Sequence, residues 1–155
     1  MGIARSEQQL GSPDLKIAGL QLWVHGRQYP QAVEEYDADW LQITAHCGAS
    51  SANVWVTGSL LSSWSFVQFT RECEILLRTL RGKAQLWSHE PELHACLEAT
   101  DTLGHVRLVV DITPDHMTQQ HRFEFEDLDQ SYLPGVISMC EGILATYPTT
   151  LAVPK

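Results

Sequence analysis

The apolar positions of the chain change period twice. Residues 15–25, 39–48 and 53–61 alternate apolar with polar side chains, the period-two pattern of half-buried strands, and a Gly-Ala-Ser-Ser turn joins the last two. Phe66, Phe69, Cys73, Leu76, Leu77 and Leu80 then recur at spacings of three and four, which is one face of an amphipathic helix. Ser65 with Gln68 resembles a capping box at its start, and Gly82 suits its C-terminal cap. Period two returns over residues 84–89, which Pro91 interrupts. It continues in Leu93, Ala95, Leu97 and Ala99 and, after a turn over 100–104, in Val106, Leu108, Val110 and Ile112. Thr113, Pro114 and Asp115 turn the chain again, and residues 117–126 carry Phe123 and Phe125. Leu133, Val136, Ile137, Cys140, Ile143, Leu144 and Tyr147 form a second helical stripe. Pro134 sits in its first turn, where a missing N–H costs little, and Pro148 ends it.

The predicted order is βββ-α-ββββ-α. Short connections between strands call for antiparallel pairing. The expected fold is α+β: a single antiparallel sheet of about seven strands with two helices packed on one face. Two amphipathic helices supply apolar area for one side, so the other face is expected to be open. Residues 1–14, ending in Gly-Ser-Pro-Asp, read as a flexible tail, and residues 15–150 as one domain.

Charge changes the picture more than composition does. The 155 residues carry 19 acidic against 10 basic side chains, a net charge of -9. Such a surface repels phosphate backbones, which disfavours nucleic acid as a partner. It favours a basic protein partner by steering and complementarity, although solubility alone explains the charge equally well. Cys47, Cys73, Cys96 and Cys140 lie far apart in apolar patterns, so they read as small packed hydrophobes and not as a zinc framework. No signal peptide or membrane-length apolar run is seen, and a reduced, cytoplasmic setting without a membrane partner is the expectation. The opening MGIARS formally matches an N-myristoylation pattern, a short and degenerate one.

Alternation also assigns side chains to the open face. Glu92, His94, Glu98, His105, Arg107, Asp111, Arg122, Glu124 and Glu126 fall there along the later strands. On the earlier ones Trp23, Trp40, Trp55 and Trp87 share parity with polar neighbours. Large rigid anchors in a charged surround are the anatomy of a protein-binding hot spot. The partner-binding candidates are therefore Trp23, Trp40, Trp55 and Trp87, the loop acids Glu34, Glu35, Asp37 and Asp39, and Glu124 and Glu126. The competing expectation is that the loop over 27–39 folds across this face and buries the rings as a second small core, the commoner fate of tryptophan.

Catalytic patterns fare worse. His89, Glu90 and His94 have the wrong spacing for a zinc-protease helix, and Pro91 lies between the histidines. His46, His94 and His105 share a sheet face, but exposed strand histidines explain them more simply than a metal site. Cys47 beside His46 points to the opposite face, so the two form no dyad. Phosphate-loop and nucleophile-elbow motifs are lacking. No catalytic residue, metal or cofactor is expected.

Several stretches carry a resemblance. They are DADWLQI at 37–43 after an acidic loop, the helix ending Leu-x-x-Leu-x-Gly, SHEPELHACLEA, GHVRLVVDI, and a last helix ending in Tyr-Pro. Together, over residues 15–148, they resemble the WapI-type immunity proteins of bacterial contact-dependent toxin systems, although FEDLDQSYLP at 125–134 has no counterpart in that pattern. The resemblance implies a small cytoplasmic protein without catalytic activity that binds a cognate toxin domain, often a nuclease, and blocks it. Two alternatives stay open. One is a small-ligand-binding or enzymatic domain, with a pocket between the open sheet face and the 27–39 loop lined by Trp23, Trp40, His46 and Trp55. The other is a structural homodimer formed through the tryptophan face.

Overall fold

Two antiparallel meanders make the frame. In the computed structural model, which describes residues 10–152, β1 (Leu15–Ile17), β2 (Leu20–Arg27), β3 (Trp40–Ala49) and β4 (Ala52–Ser62) pair in chain order as one sheet. A second sheet holds β5 (Lys83–Trp87), β6 (Leu93–Ala99), β7 (His105–Ile112) and β8 (Arg122–Asp129), again in chain order. The single-turn α1 (Glu35–Ala38) lies between β2 and β3, the long α2 (Ser63–Thr79) joins the two sheets, and a 3-10 turn at Gln130–Tyr132 leads into α3 (Leu133–Thr146). Residues 1–9, which include the MGIARS pattern and most of the predicted tail, lie outside the described residues.

The α+β antiparallel class read from the sequence is the one adopted, but the strands divide into two sheets of four instead of one sheet of seven. Two local features explain the difference. The predicted first strand is a hairpin, turned at Ala18 (φ 50°) and Gly19, which registers Leu15 with Leu22 and Ile17 with Leu20. After β4 the chain enters α2, and β5 starts a new ladder with β6 instead of extending β4.

Both sheets turn their apolar faces to one core. Leu15, Ile17, Leu20, Leu22, Ile43 and Cys47 from the first sheet meet Leu86, Ala95, Leu97, Leu108 and Val110 from the second. The helical stripes complete it with Phe66, Phe69 and Leu76 of α2 and Val136, Cys140 and Ile143 of α3. Each fully buried leucine or phenylalanine contributes roughly 1.5–3 kcal/mol. The helices lie side by side, α3 against β1 and α2 against β5, so the helical layer reaches from an edge of one sheet to an edge of the other. At the β5 edge, Gln85 donates its backbone N–H to Glu72 Oε1 of α2 at 3.0 Å, which satisfies a group that an edge strand would leave open.

The caps differ in detail from the expected ones. Ser62 is the N-cap of α2, with Ser65 as its reciprocal partner, and Leu80 in the left-handed region ends the helix two residues before Gly82. Register shifts mark bulges at three places, Val24/Gly26, Leu41/Ile43 and Val106/Leu108. The last of these lets Phe125 and Leu128 both pack on the core across an extra residue of β8.

Gly19 is enclosed by both sheets: a Cβ there would lie 2.2 Å from the Gly48 carbonyl of its own sheet and 2.6 Å from the Phe125 ring of the other. Gly19→Ala is expected to destabilise the fold by about 1–3 kcal/mol through overpacking, read as a lower urea midpoint with an unchanged m-value. The thiols supply a second check. Burial pushes Cys47 and Cys140 up to about 12 and raises Cys73 as well. These groups favour the folded state fully below about pH 8.5, the unfolded thiol value, and that contribution is lost as pH rises through the folded values. At pH 8 a thiol reagent should leave Cys47, Cys73 and Cys140 unmodified in the native protein and label them on unfolding. Rapid native labelling would contradict the packing described.

Candidate functional site

One buried carboxylate organises the end of the molecule where β2, β3, α2 and the chain after α3 converge. Asp39 is 1% exposed. Its Oδ2 accepts the backbone N–H of Trp64 at 2.9 Å, and its Oδ1 accepts Thr149 Oγ1 and the Thr150 N–H, each at 2.8 Å. Its backbone carbonyl takes the Ser63 N–H at 3.0 Å. Arg27 Nη1 lies 3.8 Å from Oδ1 and donates to Ser63 Oγ at 3.0 Å, while Nη2 donates to the Pro148 carbonyl. The guanidinium also sits 5.8 Å from the Tyr147 ring centroid. Asp39 thus satisfies orphan amides in the first turn of α2 and places negative charge at its positive end. The sequence reading made Asp39 a partner contact. The structure encloses this side chain and engages its carboxylate with the chain's own donors, although the residue still lines the adjoining cavity.

Around this knot lies a groove walled by aromatic rings. Its inner part, about 310 Å³, is lined by Tyr36, Trp40, Trp64, Trp87, His89 and Leu151, among others. An outer part of about 490 Å³ shares Tyr36, Trp40 and His89 and continues along β4 to Glu90, Glu92 and Pro114. Tyr36 meets Trp40 edge to face at 6.4 Å, Trp87 meets His89 at 5.5 Å, and Arg71 stands 5.7 Å over Trp64. These neighbours hold the rings in place while leaving area to the solvent: Tyr36 is 54% and Trp87 43% exposed. Glu34, Glu35 and Asp37 stand exposed on and before α1, and Glu90 on the opposite bank. No basic side chain among the described residues pairs with any of these four.

The remaining candidates fall elsewhere. Trp23 is buried, and its ring stacks on half-buried Trp55 at 5.8 Å and 18°. His46 lies 4.3 Å from Trp55 and bonds Gln21 at 3.2 Å and Asn53 at 2.8 Å. The cover over this layer is the segment before β1, where Trp23 Nε1 donates to the Gly11 carbonyl at 3.0 Å and Asp14 pairs with β2. The loop over 27–39, expected as the cover, instead walls the groove. Trp40 therefore parts from Trp23 and Trp55, and the imagined pocket of Trp23, Trp40, His46 and Trp55 does not form as one cavity. Glu124 and Glu126 are exposed on β8 but face arginines, with Arg122 at 3.3 Å and Arg107 at 4.0 Å. Such surface pairs contribute little stability and leave less free charge for a partner.

The histidines do not converge either. His94 bonds Gln85 at 3.0 Å and His105 bonds Asp101 at 2.5 Å. Among the described residues, no group of three metal-ligating side chains comes together.

Trp64, Tyr36 and Tyr29 are not singled out by the sequence, and His89 is weighed there only as a metal ligand. A signal for Trp64 existed: it precedes the Phe66, Phe69, Cys73 stripe and shares a side of the helix with Gln68 and Arg71 at spacings of four and seven, off the buried face. Tyr29 lies in a connecting segment and Tyr36 in a single helical turn too short to show a period, so periodicity assigns neither a face.

The immunity protein WapI-like family model matches residues 11–148. No curated protein and no solved structure matches the chain.

Two neighbouring aspartates separate the structural acid from the surface one. Asp39→Ala should cost about 3 kcal/mol or more, since it strands Arg27 and several buried donors. Asp37→Ala should stay within about 0.5 kcal/mol of the parent. Urea unfolding measures both, and comparable losses would refute this division of roles.

Proposed function

Since the chain belongs to the immunity protein WapI-like family, we propose that it neutralises a cognate toxin domain by binding it through the aromatic groove and its acidic banks. The observation that carries this reading is the juxtaposition of Tyr36, Trp40, Trp64 and Trp87 with Asp37 and Glu90 in the groove, with exposed Glu34 and Glu35 just before Tyr36 in the chain, acids without a basic partner among the described residues. Rings held by their neighbours lose little entropy on binding and supply most of the affinity at a hot spot. Acids around them attract a basic partner and speed encounter. A nuclease domain has that character, because it grips phosphates. On this reading the protein blocks its toxin without catalysis or a cofactor and acts in the cytoplasm. No described helix is long and apolar enough to cross a membrane.

The test starts with the tagged protein as bait in its native host at low and moderate salt, followed by an activity assay of whatever is captured. A basic protein whose activity is abolished at a one-to-one ratio is the expected result. Capture without inhibition would defeat the proposal. Trp87→Ala and Trp40→Ala should each weaken the complex by about thirtyfold or more, near 2 kcal/mol, with circular dichroism unchanged. Reversing Glu34, Glu35 and Asp37 to lysine should slow association by about tenfold and flatten its salt dependence, with a smaller effect on dissociation. Association that ignores both salt and these charges would favour an apolar homodimer instead.

A further inference from the structure

A β-sheet of four strands has two edges, and the molecule treats its four edges unequally. β1 is covered by α3, and β5 by α2 with the Glu72 carboxylate on the Gln85 N–H. β8 carries a bulge and the charges of Arg122, Glu124, Glu126 and Asp127, the devices that keep an exposed edge from pairing. β4 is covered by no helix and carries no charge, and its own bulge is confined to its end, between Gly58 and Leu61. It is the longest of the described strands, eleven residues, and ANVWVTGSLLS contains no charge and no proline. Its ladder is with β3, and on its other side Ser88 Oγ donates to the Leu60 carbonyl at 2.7 Å. From Asn53 to Ser59 the outward backbone groups of β4 have no partner among the described residues.

The outer groove runs along this edge. Val56, Thr57, Gly58, Ser59 and Leu60 form one bank, and His89, Glu90, Glu92 and Pro114 the other, with Asp37 at one end. A strand added beside β4 would lie about 4.8 Å from it, inside this groove. Glu92 Oε2 is buried without a hydrogen-bond donor, a costly condition that an incoming N–H or ammonium would relieve.

We infer that the free edge of β4 receives an extended, lysine- or arginine-bearing segment of the protein partner as a fifth strand of the first sheet. This deepens the toxin-binding reading and rests on it. Backbone pairing supplies affinity, and the alternate side chains that face Asp37, Glu90 and Glu92 supply selection for positive charge. A second copy of this chain suits the edge less well. It would bring the same acids and a second net charge of -9 to the contact.

Hydrogen exchange followed by nuclear magnetic resonance on the full chain tests this. The probe is a capped octapeptide of alternating lysine and valine, compared with its alternately N-methylated form and with a glutamate–valine analogue. The lysine peptide should slow the outward-facing amides between residues 53 and 59 by about tenfold or more at saturation, with both controls inactive. Glu90→Lys should weaken the effect about fivefold. Equal protection by the N-methylated peptide, protection confined to other strands, or no protection at millimolar peptide would overturn the inference. Protection that grows with protein concentration alone would assign the edge to a homodimer and overturn it as well. A toxin that is bound and inhibited while the peptide leaves β4 unprotected sinks strand addition and keeps the neutralising function. Protection by the peptide with no toxin inhibited does the reverse.

Discussion

The Asp39 carboxylate is the contact on which the functional end of the molecule depends. It is the point where four chain segments far apart in sequence are held against one another: the end of β2 through Arg27, the start of β3, the first turn of α2, and residues 147–150 after α3. The carboxylate is nearly fully enclosed, and a charge in that position persists only when its oxygens are satisfied by donors. Because those donors are two backbone amides and the Thr149 hydroxyl, with the Arg27 guanidinium at 3.8 Å, the geometry is directional. Trp40 follows Asp39 directly in the chain, and Trp64 supplies one of the bonded amides, so the knot fixes the spacing of two groove walls. One buried residue thus both holds these segments together and sets the shape of the groove beside it.

The core explains why the groove can be rigid and yet lie at the surface. One apolar face of each sheet and of the two long helices points into one cluster, so neither sheet is free to move without disturbing the other. The groove spans this junction: Trp40 comes from the first sheet, Trp64 from α2, and Trp87 and His89 from the second sheet and the residues after it. Pre-positioned rings of this kind lower the ordering cost that a partner would otherwise have to offset.

Periodicity made the elements legible and hid their grouping. The helix over Phe66 to Leu76 and the strands around Ile43, Leu97 and Leu108 follow from spacing alone. Alternation reports which face a side chain takes and is silent on which sheet its strand joins, so one sheet and two sheets look alike in sequence. Bulges add a second loss. In FEDLDQSYLP the period-two pattern breaks at Glu126 and Asp127, where β8 carries its extra residue, and the predicted strand began too early, in the exposed turn around Met117. Of the tryptophans read as one surface, Trp40 and Trp87 reach the groove, while Trp23 and Trp55 stack together under the segment before β1. Parity could not separate the two pairs, because the separation arises from which segment covers each ring.

The net charge of -9 conceals an uneven distribution, and the distribution bears on function more than the sum does. Several acids are tied to the chain's own donors: Asp39 and Glu72 serve the helix start and the strand edge, and Asp14, Asp101, Asp115 and Asp129 accept backbone amides in turns and strand ends. Glu98, Glu124 and Glu126 face arginines across the second sheet. Others, such as Glu74 and Glu141, stand on the solvent sides of the helices, as expected of acids that serve solvation. Glu34, Glu35, Asp37, Glu90 and Glu92 belong to none of these classes and gather around the groove. An acidic surface selected for solubility alone has no reason to concentrate its unpaired charge beside exposed tryptophan and an open strand edge, since both favour self-association. Like copies of the chain repel one another through these carboxylates. That repulsion is a physical reason why such an edge can stay uncovered.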